Sequence, residues 1–327
     1  VSENSLEGTL DFTKLPRGME ECDFRDNEFQ GTLDFSDLPA KLTDIAVDVN
    51  KFSGTVDLHH LPKGLERLYI GNENLFAQLD WDKLPKWLID LSCDFLQFNG
   101  TIEINKISRN FREIEFCRND IKGTVDLTKL PPGLEALSFS QNAITGPIDF
   151  TQLPDRLNWI SFAENNLKCD VNLDALPAYV QHLYLEYNAL KGSITTGLLP
   201  RGLEVIKIKV NRFRGSLDLT ELPAFMRVFS GSNNSFCGKL DFSRLPMFLS
   251  KLSLANNRFI GSIDMSKVDA PLTTLRLDGN KFRGEALISE AVAGTQKINI
   301  TGNCITAIFT VRNGIRKKHT GISIGEA

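Results

Sequence analysis

Apolar residues recur along this chain every 23 positions, and inside each copy they form two short alternating runs separated by turn signals. In one copy the apolar positions are Leu134, Leu137, Phe139 and Ile144, with Asn142 between the last two. Leu137 and Phe139 flank a polar residue, the period of a β-strand, so one short strand per copy is expected, stacked in parallel with its neighbours. The second run, as in Gly123-Thr124-Val125-Asp126-Leu127, is again in-out-in and is followed by Leu130-Pro131. A Leu-Pro step keeps the backbone extended or turning and does not sit inside a long helix. The second side of each copy is therefore expected to be short strand or turn, with no α-helix.

The register holds without insertion or deletion. Steps of 23 from Gly8 land on Gly31, Gly54, Ala77, Gly100, Gly123, Gly146, Cys169, Gly192, Gly215, Gly238, Gly261, Gly284 and Ala307. Four residues before each of these fourteen positions stands Asn, from Asn4 to Asn303, with Glu73 and Leu96 as the two exceptions. A buried Asn after the strand can satisfy backbone donors and acceptors together, so the column reads as a ladder of amides locking turn to turn. Pro recurs at the corresponding site from Pro16 to Pro246 and drops out at Ser108, Asp269 and Val292.

The pattern LxxLxLxxNxL over residues 4 to 310 resembles the leucine-rich-repeat family. The 23-residue form with Gly-Thr-(Ile/Val/Leu)-Asp and Leu-Pro resembles repeats carried by protist proteins. The resemblance implies a β-rich solenoid, a horseshoe or gently curved superhelix with a parallel concave sheet and a helix-poor convex side. A lone 23-residue copy buries too little apolar surface to offset the entropy of ordering it. The copies must stack, so residues 1–310 are expected to form one solenoid domain of about thirteen turns, the first partial, with 311–327 as a C-terminal cap or tail. At the start, Leu6, Leu10 and Phe12 stand in core register with nothing polar to cover them, which leads us to expect a missing N-terminal segment or a docked partner.

Composition adds bounds. The 327 residues carry a net charge of −4, and no apolar run approaches the roughly 18 residues of a membrane span. Six scattered cysteines without CxxC pairs point to free thiols and a reducing compartment, whereas sequons at Asn99, Asn233 and Asn299 point the other way. The compartment stays open.

No catalytic residue, metal ligand or cofactor site is assigned. The histidines His59, His60, His182 and His319 lack metal-ligand spacing, and the glycines of Gly231–Gly238 are too far apart for a phosphate loop. A column of acids, Asp11, Asp34, Asp57, Asp80, Glu103, Asp126, Asp149, Asp218, Asp241 and Asp264, could recruit Ca²⁺. One carboxylate per turn is too few for a caged ion, and a Ser or Thr two residues on favours turn capping instead.

The strand positions pointing out of the concave sheet are the ones free to carry function. In the first five strands they hold Glu21, Asp23, Asp44, Asp48, Asp90, Asp94, Glu113 and Glu115 against Arg25 and Arg67, with Tyr69 and Phe95 among them. In the last five they hold Lys207, Lys209, Lys251, Arg276 and Lys297 against Asp278. Between these lie Trp159, His182 and Tyr184, with Tyr187 and Arg118 at strand ends. A solvated face that varies by drift competes with a surface for a protein partner, in which aromatic anchors supply affinity and opposite charges set direction. On the convex side Trp87, Tyr179, Phe225 and Phe248 occupy the site two after the Pro, either shielding the edge or forming a lateral contact in a larger assembly. Nucleic acid is disfavoured because the basic residues are few and opposed by an acidic half. From Glu73 to Ser108 the pattern loosens and Trp81 enters a core column, a local widening or bend. The expected role is protein recognition or scaffolding without chemistry, with a structural subunit packed through its convex face and ends as the alternative.

Overall fold

The computed structural model describes residues 1–98, 101–319 and 321. Asn99, with its sequon, and Gly100, with its place in the glycine column, lie outside the described residues, as do residues 322–327 of the expected tail. The described chain forms two compact units, Val1–Ile148 with Gln152–Asn166, and Asp149–Thr151 with Leu167–Ala327.

In the first unit the in-out-in runs become seven short parallel strands, Glu21–Asp23, Asp44–Ala46, Arg67–Tyr69, Asp90–Ser92, Glu113–Glu115, Ala136–Ser138 and Trp159–Ser161. Their central residues stand opposite one another, Cys22, Ile45, Leu68, Leu91, Ile114, Leu137 and Ile160, and all are buried. The second unit repeats this with six strands, His182–Tyr184, Val205–Lys207, Val228–Ser230, Lys251–Ser253, Thr274–Arg276 and Lys297–Asn299. We call these the inner strands. Each unit is thus a stack of parallel turns with very little helix. No helix among the described residues is long and apolar enough to cross a membrane.

Residues around the column glycine form an outer wall of parallel strands: Glu7–Thr9, Glu28–Gly31, Lys51–Asp57, Asn74–Gln78, Lys122–Gly123 and Ala143–Ile144 in the first unit. In the second unit the outer strands run from Lys191–Gly192 to Cys304–Arg312. Beyond them the acid column caps tight turns. Asp126 accepts the Thr128 N–H at 3.0 Å and the Thr128 hydroxyl at 2.7 Å, and Asp11, Asp218 and Asp264 do the same with Thr13, Thr220 and Ser266. The capping account of this column is the one observed.

One expectation needs correction. One four-residue α-helix, Glu290–Ala293, stands where none was expected. Val292 replaces the Pro there, which restores an N–H, and that N–H donates to the Ser289 hydroxyl at 3.1 Å as the helix cap. At the C-terminal end Cys304–Arg312 turns back through Asn313-Gly314, both at positive φ, into an antiparallel strand Ile315–Lys318.

The Asn ladder holds each stack together. Asn257 donates to the carbonyls of Gly231, Leu254 and Ala255 at 3.0, 3.1 and 3.1 Å and accepts the Phe236 N–H at 3.0 Å. Where Glu73 breaks the column, Asn72 takes its place, donating to Val47 and Ile70 and accepting from Asn50. Leu96, the other exception, is fully buried instead. Trp81 joins this core against Phe116, ring centres 5.9 Å apart. Phenylalanines fill the interior in ladders of their own, Phe213, Phe236, Phe259 and Phe282 stacking at 6.3, 6.4 and 6.3 Å. Cys22, Cys93, Cys117, Cys237 and Cys304 form no disulfide.

Candidate functional site

The inner strands of the first unit present three outward columns over a low floor. Ala46, Gly71 and Ser92 are small and buried, and a Cβ on Gly71 would lie 2.6 Å from the Asp94 carbonyl oxygen. Around them stand the acids. Arg67 bridges two turns, its guanidinium 2.7 Å from Asp44 and 3.2 Å from Asp90, and Tyr69 donates its hydroxyl to Asp90 at 3.4 Å. Burial, with the Asp90 charge beside it, pushes the Tyr69 phenol above its usual range.

The other carboxylates have less compensation. Burial raises Asp48, Asp90, Asp94 and Glu113, and it carries Glu115 up to about 7, with the charges of Asp94, Glu113 and Asp48 adding to it. Asp94 accepts the Cys117 N–H at 2.6 Å, whereas one buried oxygen of Asp48 has no hydrogen-bond partner. Phe95 lies under the Arg118 guanidinium, 4.6 Å from its ring centre. Trp159 is half-buried at the head of its strand. Asp94, Glu113, Glu115 and Tyr69 thus share one face with Asp48 and Asp90.

The second unit shows the opposite charge. Lys207 and Lys209 reach back over Tyr184 and Tyr187, each ammonium 4.7 Å from the ring centre, and the His182 and Tyr184 rings lie parallel at 6.4 Å. Burial lowers His182, and burial together with Lys207, Lys209 and Arg276 lowers Lys251. Between these cations Ser230, Ser232 and Ser253 form a buried hydroxyl floor, Ser232 and Ser253 joined at 2.9 Å. Arg276 grips Asp278 of its own turn through two bonds, 3.1 and 2.8 Å, so its charge is partly answered.

On the turn side the aromatics are as exposed as the sequence suggests: Trp87 67% and Tyr179 68%, with Phe225 at 58% and Phe248 at 45%. Phe225 and Phe248 stack at 6.2 Å, and Met247 beside them is exposed as well. Trp87 belongs to the first unit and the other three to the second. Among the described residues no group of His, Cys, Asp and Glu is arranged to hold a metal ion.

Sequence reasoning missed the outer wall of the second unit. Lys191, Arg212, Arg214, Arg258, Lys281 and Arg283 all point outward there. Their signal in the sequence is a basic residue one or three positions after the Asn column, outside the inner strands.

No protein-family profile matches the chain, and neither does any curated protein. Solved structures do. A plant peptide hormone receptor, RGFR1, in complex with RGF2, is 22% identical with a TM-score of 0.71, covering 93% of this chain and 55% of that one. The LRR ectodomain of the receptor kinase GASSHO1/SCHENGEN3 from Arabidopsis thaliana, in complex with CASPARIAN STRIP INTEGRITY FACTOR 2, is 20% identical with a TM-score of 0.68, covering 92% and 44%. YopM from Yersinia enterocolitica is 20% identical with a TM-score of 0.57, covering 97% and 61%. The chain spans about half the length of the two receptors.

Proposed function

The chain has the leucine-rich-repeat fold, and we propose that it is a non-enzymatic recognition module that takes a protein or peptide partner against its inner strands, the face expected to be concave in one continuous solenoid. The observation that carries this reading is the cluster of desolvated carboxylates in the first unit, Asp48, Asp94, Glu113 and Glu115, whose proton affinities are all raised. Such a cluster costs the free protein stability, and a cationic segment laid over the Ala46, Gly71 and Ser92 floor relieves that cost. Lys251, lowered by its own cationic neighbours, makes the mirror-image case for an acidic segment at the second unit. Tyr69, Phe95, Trp159, His182, Tyr184 and Tyr187 supply rigid rings at both faces, the residue types that dominate interface energetics. Two of the solved neighbours, RGFR1 and GASSHO1/SCHENGEN3, are complexes with RGF2 and CASPARIAN STRIP INTEGRITY FACTOR 2, which supports a binding rather than a catalytic role.

The test is capture of partners from the native source with wild-type protein, Trp159→Ala/Tyr184→Ala and Glu113→Gln/Glu115→Gln. Loss of the partner from the inner-face variants with unfolding midpoints no lower than that of the wild type supports the reading; full retention by both refutes it. One observation favours a second reading, a structural subunit packed through its turn side: the exposed Phe225–Phe248 stack with Met247. In that case Phe225→Ser/Phe248→Ser, and not the inner-face variants, releases the partner.

A further inference from the structure

We propose that the outer wall of the second unit binds a sulfated polysaccharide. The strands Lys191–Gly192, Arg212–Gly215, Ser235–Gly238, Arg258–Met265 and Lys281–Ser289 lie parallel and in register. At the two outward positions ahead of each column glycine they carry Lys191, Arg212, Arg214, Arg258, Lys281 and Arg283, and no carboxylate. All six are exposed, and among the described residues none of them enters an ion pair, although cations elsewhere do, Lys51 with Glu28 and Arg227 with Glu204 among them. Neighbouring turns are about 4.8 Å apart, so the row extends roughly 19 Å. Lys191 stands opposite Arg212, and Cys237 opposite Arg258. Because Ser235 and Cys237 are short, their turn leaves a recess of about 480 Å³ walled by Lys191, Arg212, Arg214 and Arg258.

The shape of the charge selects the partner. The next outward positions along the first four strands are Ser193, Ser216, Lys239 and Ser262, three hydroxyls and a further cation, and on the fifth strand Glu285 stands there, paired with Arg316 at 3.3 Å. The positions after those are Asp218, Asp241 and Asp264, which bound the positive strip on that side. A strip only a few residues wide suits one linear polyanion, whereas an anionic bilayer or the broad surface of a duplex would also meet the Asp row. Single-stranded nucleic acid needs rings to stack on; the phenylalanines of these strands, Phe213, Phe236, Phe259 and Phe282, are fully buried in the core. The four arginines fit sulfate through paired N–H donors, and the serines suit sugar hydroxyls. This surface is independent of the inner face.

A heparin-derived octasaccharide titrated into the full chain at 50 to 200 mM NaCl is the test. Binding that weakens steeply with salt is expected, with a loss of at least about tenfold in Arg212→Ser/Arg214→Ser/Arg258→Ser and none in Lys207→Ser/Lys209→Ser, both folded by circular dichroism. Absence of binding by the wild type overturns the proposal, as does an equal loss in the Lys207→Ser/Lys209→Ser protein. Tighter binding of a 20-base-pair duplex or of phosphatidylserine vesicles, abolished by the same three arginine substitutions, overturns it in favour of that other partner.

Discussion

The side-chain amide of Asn142 donates to the backbone carbonyl of Phe116, 26 residues earlier, at 2.7 Å. It also donates to Phe139 and Ser140 of its own turn and accepts the Ile121 N–H at 3.1 Å. Asn142→Ala leaves four buried backbone groups short of a partner, so it is expected to cost about 3 kcal/mol or more. Asn142→Asp keeps the acceptor, loses the donors and should fall nearly as far. Urea unfolding of the three proteins decides this; a cost below about 1 kcal/mol for both variants would mean that water fills the ladder.

Most turns place a non-glycine residue in the left-handed region just before the ladder Asn, among them Val49 at φ 53° and Val210 at φ 54°. A β-branched residue is strained there by roughly 1–2 kcal/mol. Val49 is 60% exposed and gives up little packing. Val49→Asn is therefore expected to raise stability by about 1 kcal/mol, and the reverse change Asn233→Val, at φ 57°, to lower it. Calorimetric midpoints check both signs.

Glu115 titrates near 7 in the folded protein against an ordinary value of 4.5. Folding therefore holds its proton more tightly, and the stability this group contributes is full below about pH 4.5 and declines as pH rises toward 7. The loss reaches about 3 kcal/mol. Denaturant unfolding at pH 4.5 and 7.5 should show wild type losing more stability across that window than Glu115→Gln; an equal or smaller loss contradicts the burial account.

Thiol reactivity should divide the cysteines. Cys237 and Cys304 are exposed, while Cys22 and Cys93 are buried, with burial pushing Cys22 up to about 12 and Cys93 well above its usual value. A maleimide at pH 7 is expected to modify Cys237 and Cys304 within minutes and to reach Cys22 and Cys93 only after unfolding. Peptide mapping by mass spectrometry reads the order directly.

The phase of the chain was legible because each core column tolerates only a few residue types: Leu137, Phe139, Asn142 and Ile144 announce strand, turn and burial without reference to any partner. Breaks in phase were harder to read. Asn72 rescues the ladder beside Glu73 from an adjacent position, which a strict count passes over. The left-handed residue before the ladder Asn was signalled by Gly279 and Gly302 and by Asp26, Asn233 and Asn256, residue types that reveal the backbone that Val49 and Val210 conceal. The hairpin had its signal in Asn313-Gly314 and the helix in Ser289 with the loss of Pro. For the inner face, residue types were readable but their pairing was not. Whether Arg67 neutralises Asp44, Asp90 or both depends on how long side chains turn, and the two-way bridge emerges only from the folded register.

Because the Asn257 amide bonds backward by 26 residues and accepts from a donor 21 residues back, as Asn142 and Asn280 do, its chemistry repeats after one period. Excision of residues 235–257 would splice Asn234 onto Arg258 with every column restored, so the shortened stack should refold around the seam. Removing one residue fewer would throw core side chains onto the surface for the rest of the unit. Gains and losses in such a lineage are thus quantised, and its recognition surface can lengthen or shrink by whole turns while each surviving turn keeps its own chemistry.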